Sequence, residues 1–261
     1  MKLTKQNYFH PEMMRQFWSV SQFKQFDKCE AAALAELEGK HTRDMTTSLL
    51  VGSYVDAYFS GEMEDFFDEH PEVFKKDGSL KADYRHAETI IERIQSDQLF
   101  MDFLTGKEQV IRTARLFGVD WKIKMDVFNG ERIVDLKIIK DMSDIYEEGY
   151  GRRPFIEFWG YDIQGAIYQK VEQLSSGRSE PLPFYLAVAT KEKEPDIEVF
   201  QIPQHVLDTA LHVVEAKIDR FDLVKQGLVD PIRCEHCEWC RRTKKLKRPK
   251  IYEGRENSNN G

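Results

Sequence analysis

No run in the 261-residue chain approaches the ~18 consecutive apolar residues that a membrane-spanning helix requires. The opening segment, Met1-Lys2-Leu3-Thr4-Lys5-Gln6-Asn7-Tyr8, also lacks the apolar core of a signal peptide. The expectation is a soluble cytoplasmic protein without membrane contacts. An excess of positive charge is missing as well: 38 Lys and Arg stand against 45 Asp and Glu, a net charge of −7. That excludes a generally basic nucleic-acid coat but leaves room for a local basic groove. No G-x-x-x-x-G-K-[ST] phosphate loop occurs, so coupling to ATP would have to come from a partner. There is no internal repeat, and a chain of this length can bury a full core as one elaborated domain.

Cysteine is scarce but unevenly placed. Cys29 stands alone, whereas Cys234-Glu235-His236-Cys237-Glu238-Trp239-Cys240 carries Cys-x-x-Cys spacing twice. Structural disulfides are rare in a cytoplasm, and this spacing lets a tight loop converge thiolates on one metal. Three thiolates leave a four-coordinate site one short, with Cys29 and His236 as rival fourth ligands and zinc or an iron–sulfur cluster as the occupant. The plainer alternative is four unrelated cysteines.

What is present in strength is a charged hairpin. Lys124 to Phe128 and Ile133 to Lys137 read as strands flanking Asn129-Gly130, a strong signal for a two-residue turn. In that register Phe128 faces Glu131 and Asp126 faces Ile133. Asp135 becomes the diagonal same-face neighbour of Asp126, about 7–8 Å away. Lys137 shares that face because strands alternate with period two. Two carboxylates and an amine so arranged suit metal-assisted cleavage of phosphodiesters, although an exposed charged face would look the same. The flanking apolar run of Ile133, Val134, Leu136, Ile138 and Ile139 marks a strand buried on both faces, where charge needs a reason.

Along the rest of the chain, Ser19 to Gly39 reads as one helix and Leu49 to Phe59 as a second, with Gly52 and Asp56 on one face and Gly52 allowing close backbone approach. Glu62 to Pro71 reads as an acidic surface loop and Asp83 to Leu104 as a helix. Strands are predicted at Gln109–Phe117, Val119–Phe128 and Arg132–Lys140, forming an antiparallel meander. A long aromatic helix follows at Phe155–Leu174 with Gln164 and Tyr168 on one face. Then come strands at Pro183–Thr190 and Ile197–Ile202 and a helix at Pro203–Lys225. The order describes an α/β core with a helical crossover. Residues 1–240 are expected to be one domain. Residues 241–261 are expected to be a tail, basic from Arg241 to Lys250, either contacting phosphates or simply solvated, then polar and disordered from Glu253.

These elements resemble the PD-(D/E)XK nuclease superfamily, and within it the RecE-like and lambda-exonuclease-like phage recombination exonucleases, whose nuclease domain is of RecB type. Asp126 matches the first acidic position, Asp135-Leu136-Lys137 the (D/E)-x-K element, and Gln164-Gly165-Ala166-Ile167-Tyr168 the Q-x-x-x-Y helix. Gly52-Ser53-Tyr54-Val55-Asp56 falls where RecB-type members carry G-x-x-x-H, with aspartate replacing the histidine. The similarity spans roughly residues 19 to 202. It implies a restriction-endonuclease-like α-β-β-β-α-β core, a mixed sheet flanked by helices, with extra N- and C-terminal helices. It also implies one or two Mg²⁺ or Mn²⁺ ions held by Asp126, Asp135 and the Leu136 carbonyl, with Asp56 as a further ligand. Lys137 would orient the attacking water, and Gln164 and Tyr168 would brace the site or touch DNA. Ser19-Val20-Ser21-Gln22-Phe23 followed by Cys29 is similar to the start of domains stapled by a four-cysteine iron–sulfur cluster, though there the last cysteines are spaced more widely than Cys237 and Cys240.

The function so implied is a Mg²⁺-dependent exodeoxyribonuclease resecting linear double-stranded DNA with free ends for recombination. A single-strand annealing protein as partner and a homo-oligomer follow from the same resemblance. The alternatives are a non-catalytic DNA-binding or assembly module and a structure-specific endonuclease.

Overall fold

The computed structural model describes residues 3–246, 248, 249 and 251. Seven helices precede the sheet: α1 (Pro11–Gln16), α2 (Val20–Lys28), α3 (Glu30–Leu37), α4 (Thr47–Phe59), α5 (Met63–Glu69), α6 (Ala82–Gln95) and α7 (Gln98–Phe103). The strands β1 (Lys107–Leu116), β2 (Val119–Phe128) and β3 (Ile133–Ile139) follow, then a small hairpin of β4 (Ile145–Glu147) and β5 (Gly151–Arg153). The chain continues through α8 (Phe155–Phe158), α9 (Tyr161–Ser176), β6 (Phe184–Thr190), β7 (Ile197–Gln201), α10 (Gln204–Lys225) and α11 (Glu238–Arg242).

The main sheet has the order β1-β2-β3-β6-β7. Only β3 and β6 run parallel, because α9 lies between them in sequence and returns the chain to the same end of the sheet. This is the mixed α/β core that the sequence order implied. Side chains alternate between two apolar layers. On β6, Phe184, Leu186 and Val188 pack with Trp121, Ile123 and the faces of α2, α9 and α10, while Ala187 and Ala189 join Val134, Leu136 and the residues of α4 and α6. Both faces of β3 are therefore covered, which accounts for its nearly unbroken apolar sequence.

Several expected boundaries shift for identifiable reasons. The helix read from Ser19 to Gly39 breaks at Cys29, whose extended backbone (φ −167°, ψ 104°) separates α2 from α3. The helix read from Phe155 breaks at Gly160, which sits at φ +63°, a left-handed conformation that glycine adopts without steric cost. The segment from Glu62 to Pro71, expected as a loop, contains α5, anchored where Phe66 packs edge-on against Tyr54 at 5.6 Å between ring centres. The β4–β5 hairpin has no counterpart in the sequence reading. At Gly52 a Cβ would meet Ile138 at 3.9–4.0 Å, ordinary contact, so close backbone approach is not what this glycine provides. Arg241 and Arg242 belong to α11, with Arg242 reaching Nδ1 of His41 at 3.3 Å, rather than to a free tail. Lys247, Lys250 and the polar end from Glu253 lie outside the described residues.

Candidate active site and cysteine cluster

The register between β2 and β3 brings the acidic residues together, but not by the expected turn. Val127 pairs with Val134 and Phe128 with Ile133. The connection is therefore the four residues 129–132, not a two-residue Asn129-Gly130 turn. Asn129 Oδ1 accepts from the amides of Glu131 and Arg132, both at 3.0 Å, while Gly130 takes φ +89°. The two-residue type of turn occurs one connection earlier, at Phe117-Gly118, where both residues have positive φ.

The paired positions of β2 and β3 end at Val127 and Val134, so Asp126 and Asp135 stand just past the ladder and are linked through side chains instead of backbone pairing. Here the Leu136 amide donates to Asp126 Oδ2 at 3.0 Å. Lys137 emerges from β3 on the face of Asp135. Its Nζ lies 2.5 Å from Asp135 Oδ2, 4.0 Å from Asp126 Oδ2 and 3.2 Å from the Leu136 carbonyl oxygen. From α9, Gln164 Nε2 donates to Asp135 Oδ1 at 2.6 Å. One turn on, the Tyr168 hydroxyl donates to the Lys124 carbonyl at 2.9 Å, fixing the helix to the β2 backbone. That bond makes Tyr168 a brace for the sheet.

Electrostatics show how tightly the group is strung. Burial, followed by the charges of Asp135 and Asp56, pushes the Asp126 carboxyl well above its usual range against the pull of Lys137. Asp56, half-buried on α4, is raised by burial, with Lys137 and Lys124 opposing. Burial also works against the charge on Lys137, yet Asp135 and Asp126 outweigh it and hold the amine above the ordinary lysine range. Asp135 is 1% exposed. Its Oδ2 accepts no aligned hydrogen bond even though the Lys137 ammonium pairs with it by charge. A buried carboxylate whose Oδ2 is met only by the Lys137 ammonium, beside an Asp126 that Asp135 and Asp56 both raise, fits a hard divalent cation with oxygen ligands such as Mg²⁺ or Mn²⁺.

Two residues at this site carry no motif and were not singled out from sequence. Tyr161, the first residue of α9, places its ring 6.0 Å from Lys137 Nζ. Lys24 of α2 places its Nζ 5.4 Å from the same ring.

Far along the chain from these acids, the two chain ends meet. Cys29, Cys234, Cys237 and Cys240 have their Sγ atoms all within 4.8 Å of one another. Cys29 lies 3.5 Å from Cys240 and 3.8 Å from Cys237, and Cys234 lies 4.0 Å from Cys240. His236 is exposed, and its Nδ1 is engaged with the Cys234 carbonyl at 2.8 Å, so Cys29 is the residue that joins the three clustered cysteines. The break between α2 and α3 turns Cys29 inward. Glu30 then holds the returning segment: its carboxylate accepts from Arg220 Nε at 2.8 Å and from the Ile232 amide at 2.7 Å. Four thiolates suit zinc or a four-iron cluster. The separations are near the about 3.8 Å edge of a tetrahedron around one Zn–S centre; a cube of iron and sulfide would need the thiols to spread. Burial works to raise Cys234, but the backbone amides of His236 and Cys237 outweigh it and bring its thiol down to about 6.

A family of PDDEXK-like domains of unknown function, DUF3799, matches residues 19–243. The chain belongs to this family. A crystal structure from Eubacterium rectale, described as a "putative exonuclease", superposes with a TM-score of 0.91 at 42% identity, covering 96% of this chain and 97% of that one. The structure described as SSO0001 covers 84% of this chain and 91% of that one at 16% identity, but its TM-score of 0.29 is too low to bear on the fold. No curated protein gives a significant match. Asp126 and Asp135-Leu136-Lys137, the residues read from sequence as the acidic and (D/E)-x-K positions, lie on adjacent strands, with Met125 rather than proline before Asp126. No helix among the described residues is long and apolar enough to cross a membrane.

Proposed function

We propose that the protein is a metal-dependent deoxyribonuclease, an exonuclease that resects linear duplex DNA. The observation that carries this reading is the Asp126, Asp135, Lys137 and Gln164 constellation, with Asp135 buried and its Oδ2 met by the Lys137 ammonium at 2.5 Å. The name given to the Eubacterium rectale relative supports the exonuclease form. Asp126, Asp135 and Asp56, with the Leu136 carbonyl, are the oxygen donors that would hold Mg²⁺ or Mn²⁺. Such an ion, when bound, acidifies a water and offsets charge on the phosphate. Gln164 fixes the rotamer of Asp135 through Oδ1, leaving Oδ2 aimed into the site. Lys137 is fully charged and sits beside both acids, where its ammonium can hold the attacking water and steady the developing negative charge. The four cysteines close the domain around zinc or an iron–sulfur cluster. A role in phage-type recombination, beside a single-strand annealing protein and as a homo-oligomer, extends this reading on the resemblance alone.

The test is purified protein with linear and closed circular duplex in Mg²⁺, beside Asp135→Asn and Lys137→Met. Removing either charged group is expected to slow cleavage by about 10²–10³-fold or more, with the fold confirmed by a thermal melt. Cleavage of linear DNA alone identifies an exonuclease, and nicking of circles an endonuclease. Equal cleavage by wild type and both variants would sink the site assignment, and metal-independent DNA binding without cleavage would identify a non-catalytic module.

A further inference from the structure

We propose that Lys24 and Lys28 of α2 form a phosphate-binding row leading away from Lys137, which seats successive phosphates of the DNA strand being cut. This rests on the nuclease reading and specifies how the substrate backbone enters the site.

The two lysines are four apart on one helix and so point along one face. Each lies against an aromatic ring of the segment that opens α9: Lys24 Nζ is 5.4 Å from the Tyr161 ring centre and Lys28 Nζ is 6.0 Å from that of Trp159. Because Lys137 Nζ is 6.0 Å from the same Tyr161 ring, that ring is shared by the site ammonium and the first ammonium of the row. Trp159 is 43% exposed, so the row runs from the buried acids outward to solvent. Gly160 lies between the two rings. A Cβ there would stand 3.4 Å from Lys24 Cδ and 3.6 Å from Cε, ordinary contact, so the lysine stem runs directly along this turn.

Lys24 differs from the other desolvated lysines of the chain. Lys122 donates to the Tyr8 carbonyl, Lys225 to the Phe17 carbonyl at 2.8 Å and Lys191 to the Ser48 carbonyl at 2.9 Å, so each of those amines has a fixed protein acceptor. Among the described residues neither Lys24 nor Lys28 has a hydrogen-bond acceptor or a carboxylate within ion-pair distance; their partners are the two rings. Burial, then the charge of Lys137, pulls the Lys24 amine down to about 8, with Asp135 and Asp162 opposing. An ammonium held half-buried beside a like charge, with no acceptor of its own, is stabilised by an incoming anion. The anion that fits between Lys24 and Lys137 is a phosphate diester, and Lys28 is placed for the next phosphate outward. A π face over each ammonium leaves its protons free to turn toward such oxygens.

The experiment measures binding of a labelled linear duplex to the Asp135→Asn protein as a function of salt, with and without Lys24→Ala, Lys28→Ala and Lys24→Arg. Each lost duplex phosphate contact is expected to lessen the slope of log K against log salt by about 0.9, so that affinity falls ~3.5-fold less between 50 and 200 mM salt. Lys24→Arg should restore the slope. In the cleavage-competent background Lys24→Ala should lower both kcat and kcat/KM, and Lys28→Ala mainly kcat/KM. A packing role would instead lower the melting temperature and leave the salt slope unchanged. Wild-type cleavage with an unchanged slope in both alanine variants overturns the row alone. Absence of cleavage by the wild type overturns the nuclease reading and the row with it.

Discussion

Replacing Gly165 with alanine puts a methyl group into the joint between α9 and the sheet. An ideal Cβ at this position would lie 2.6 Å from Phe184 Cδ1, 2.8 Å from Phe184 Cε1 and 2.9 Å from Leu207 Cδ2. Phe184 is fully buried and Leu207 is 1% exposed, so neither side chain has free space to retreat into. Overpacking a well-filled core costs about 1–3 kcal/mol. Three contacts inside 3.0 Å from two directions put this site at the upper end. Alanine returns about 1 kcal/mol of helix propensity over glycine. The net expectation is a destabilisation of about 2 kcal/mol, or a fall in Tm of roughly 4–8 °C for a protein of this size. The same displacement reaches the site, because the neighbouring residue Gln164 holds Asp135 Oδ1 at 2.6 Å. As α9 is pushed off β6, that bond lengthens and cleavage slows even at temperatures where the variant is fully folded. Urea denaturation gives the stability change, and cleavage of linear duplex well below the transition gives the functional one. A Gly165→Ala protein as stable as wild type would refute the close-packing argument. Full activity in a destabilised variant would refute the link from α9 to Asp135.

Three further outcomes follow from the same geometry. Lys137→Met removes the ammonium that stands beside Asp126 and Asp135, so Ca²⁺ or Mg²⁺ should bind the variant more tightly than wild type by calorimetry, by up to about 10³-fold given ~4 kcal/mol for a unit charge at 4 Å in an effective dielectric of 20; weaker binding would argue against these acids as the metal ligands. Cys29→Ser leaves three thiolates on one loop and unties the chain ends, so elemental analysis should show loss of zinc or iron together with a lower Tm; unchanged metal content and Tm would end the staple idea. Lys225 is held down to about 7 by burial, with Lys122 adding and Asp222 opposing, whereas an unfolded lysine titrates near ~10.4. Above pH 7 the folded protein sheds this proton while the unfolded chain keeps it, so stability rises with pH between about 7 and 10. Lys225→Met should flatten that rise in urea denaturation at pH 7, 8 and 9, and a variant with the wild-type slope would contradict the assignment.

How much was legible depended on what each element needed in order to form. β2 was read to its ends and β6 within one residue, because long apolar or alternating runs carry their own period. The α2–α3 break was hidden because Cys29 has no local signal for an extended conformation; the meeting with Cys237 and Cys240, more than 200 residues away, is what puts it there. α5 was hidden for a different reason. Its acids dominate the composition, and only Phe66 is buried, with Met63 and Phe67 packed partly buried beside it. β4 and β5, at three residues each and closed by glycines, are too short to show a period. Lys24 was illegible as a site residue because a lysine on an amphipathic helix reads as solvated surface. Only the position of α2 against Tyr161 gives it a role.

The hairpin shows why an incorrect register still located the acids. Sequence favoured a two-residue turn, but Asn129 can cap two amides at once, and the chain uses four residues to let it do so. The pairing thereby slides by two positions. In a strand a slide of one residue carries every side chain to the opposite face, whereas a slide of two returns each to the same face. Asp135 and Lys137 therefore stay on the α9 side, where Gln164 can reach Asp135, and the Leu136 amide holds Asp126 beside them, while Val127 and Val134 keep the α4 and α6 side apolar. Past the last pair Asp126 is tied to β3 by its carboxylate, which accepts from the Leu136 amide at 3.0 Å, and there burial and then the charge of Asp135 raise its carboxyl. Parity, set by the alternation of the strands, decides which residues share the site. Loop chemistry at Asn129 sets the register, and the Leu136 amide and the Lys137 ammonium then hold Asp126 beside Asp135, a set of oxygen donors that favours a cation.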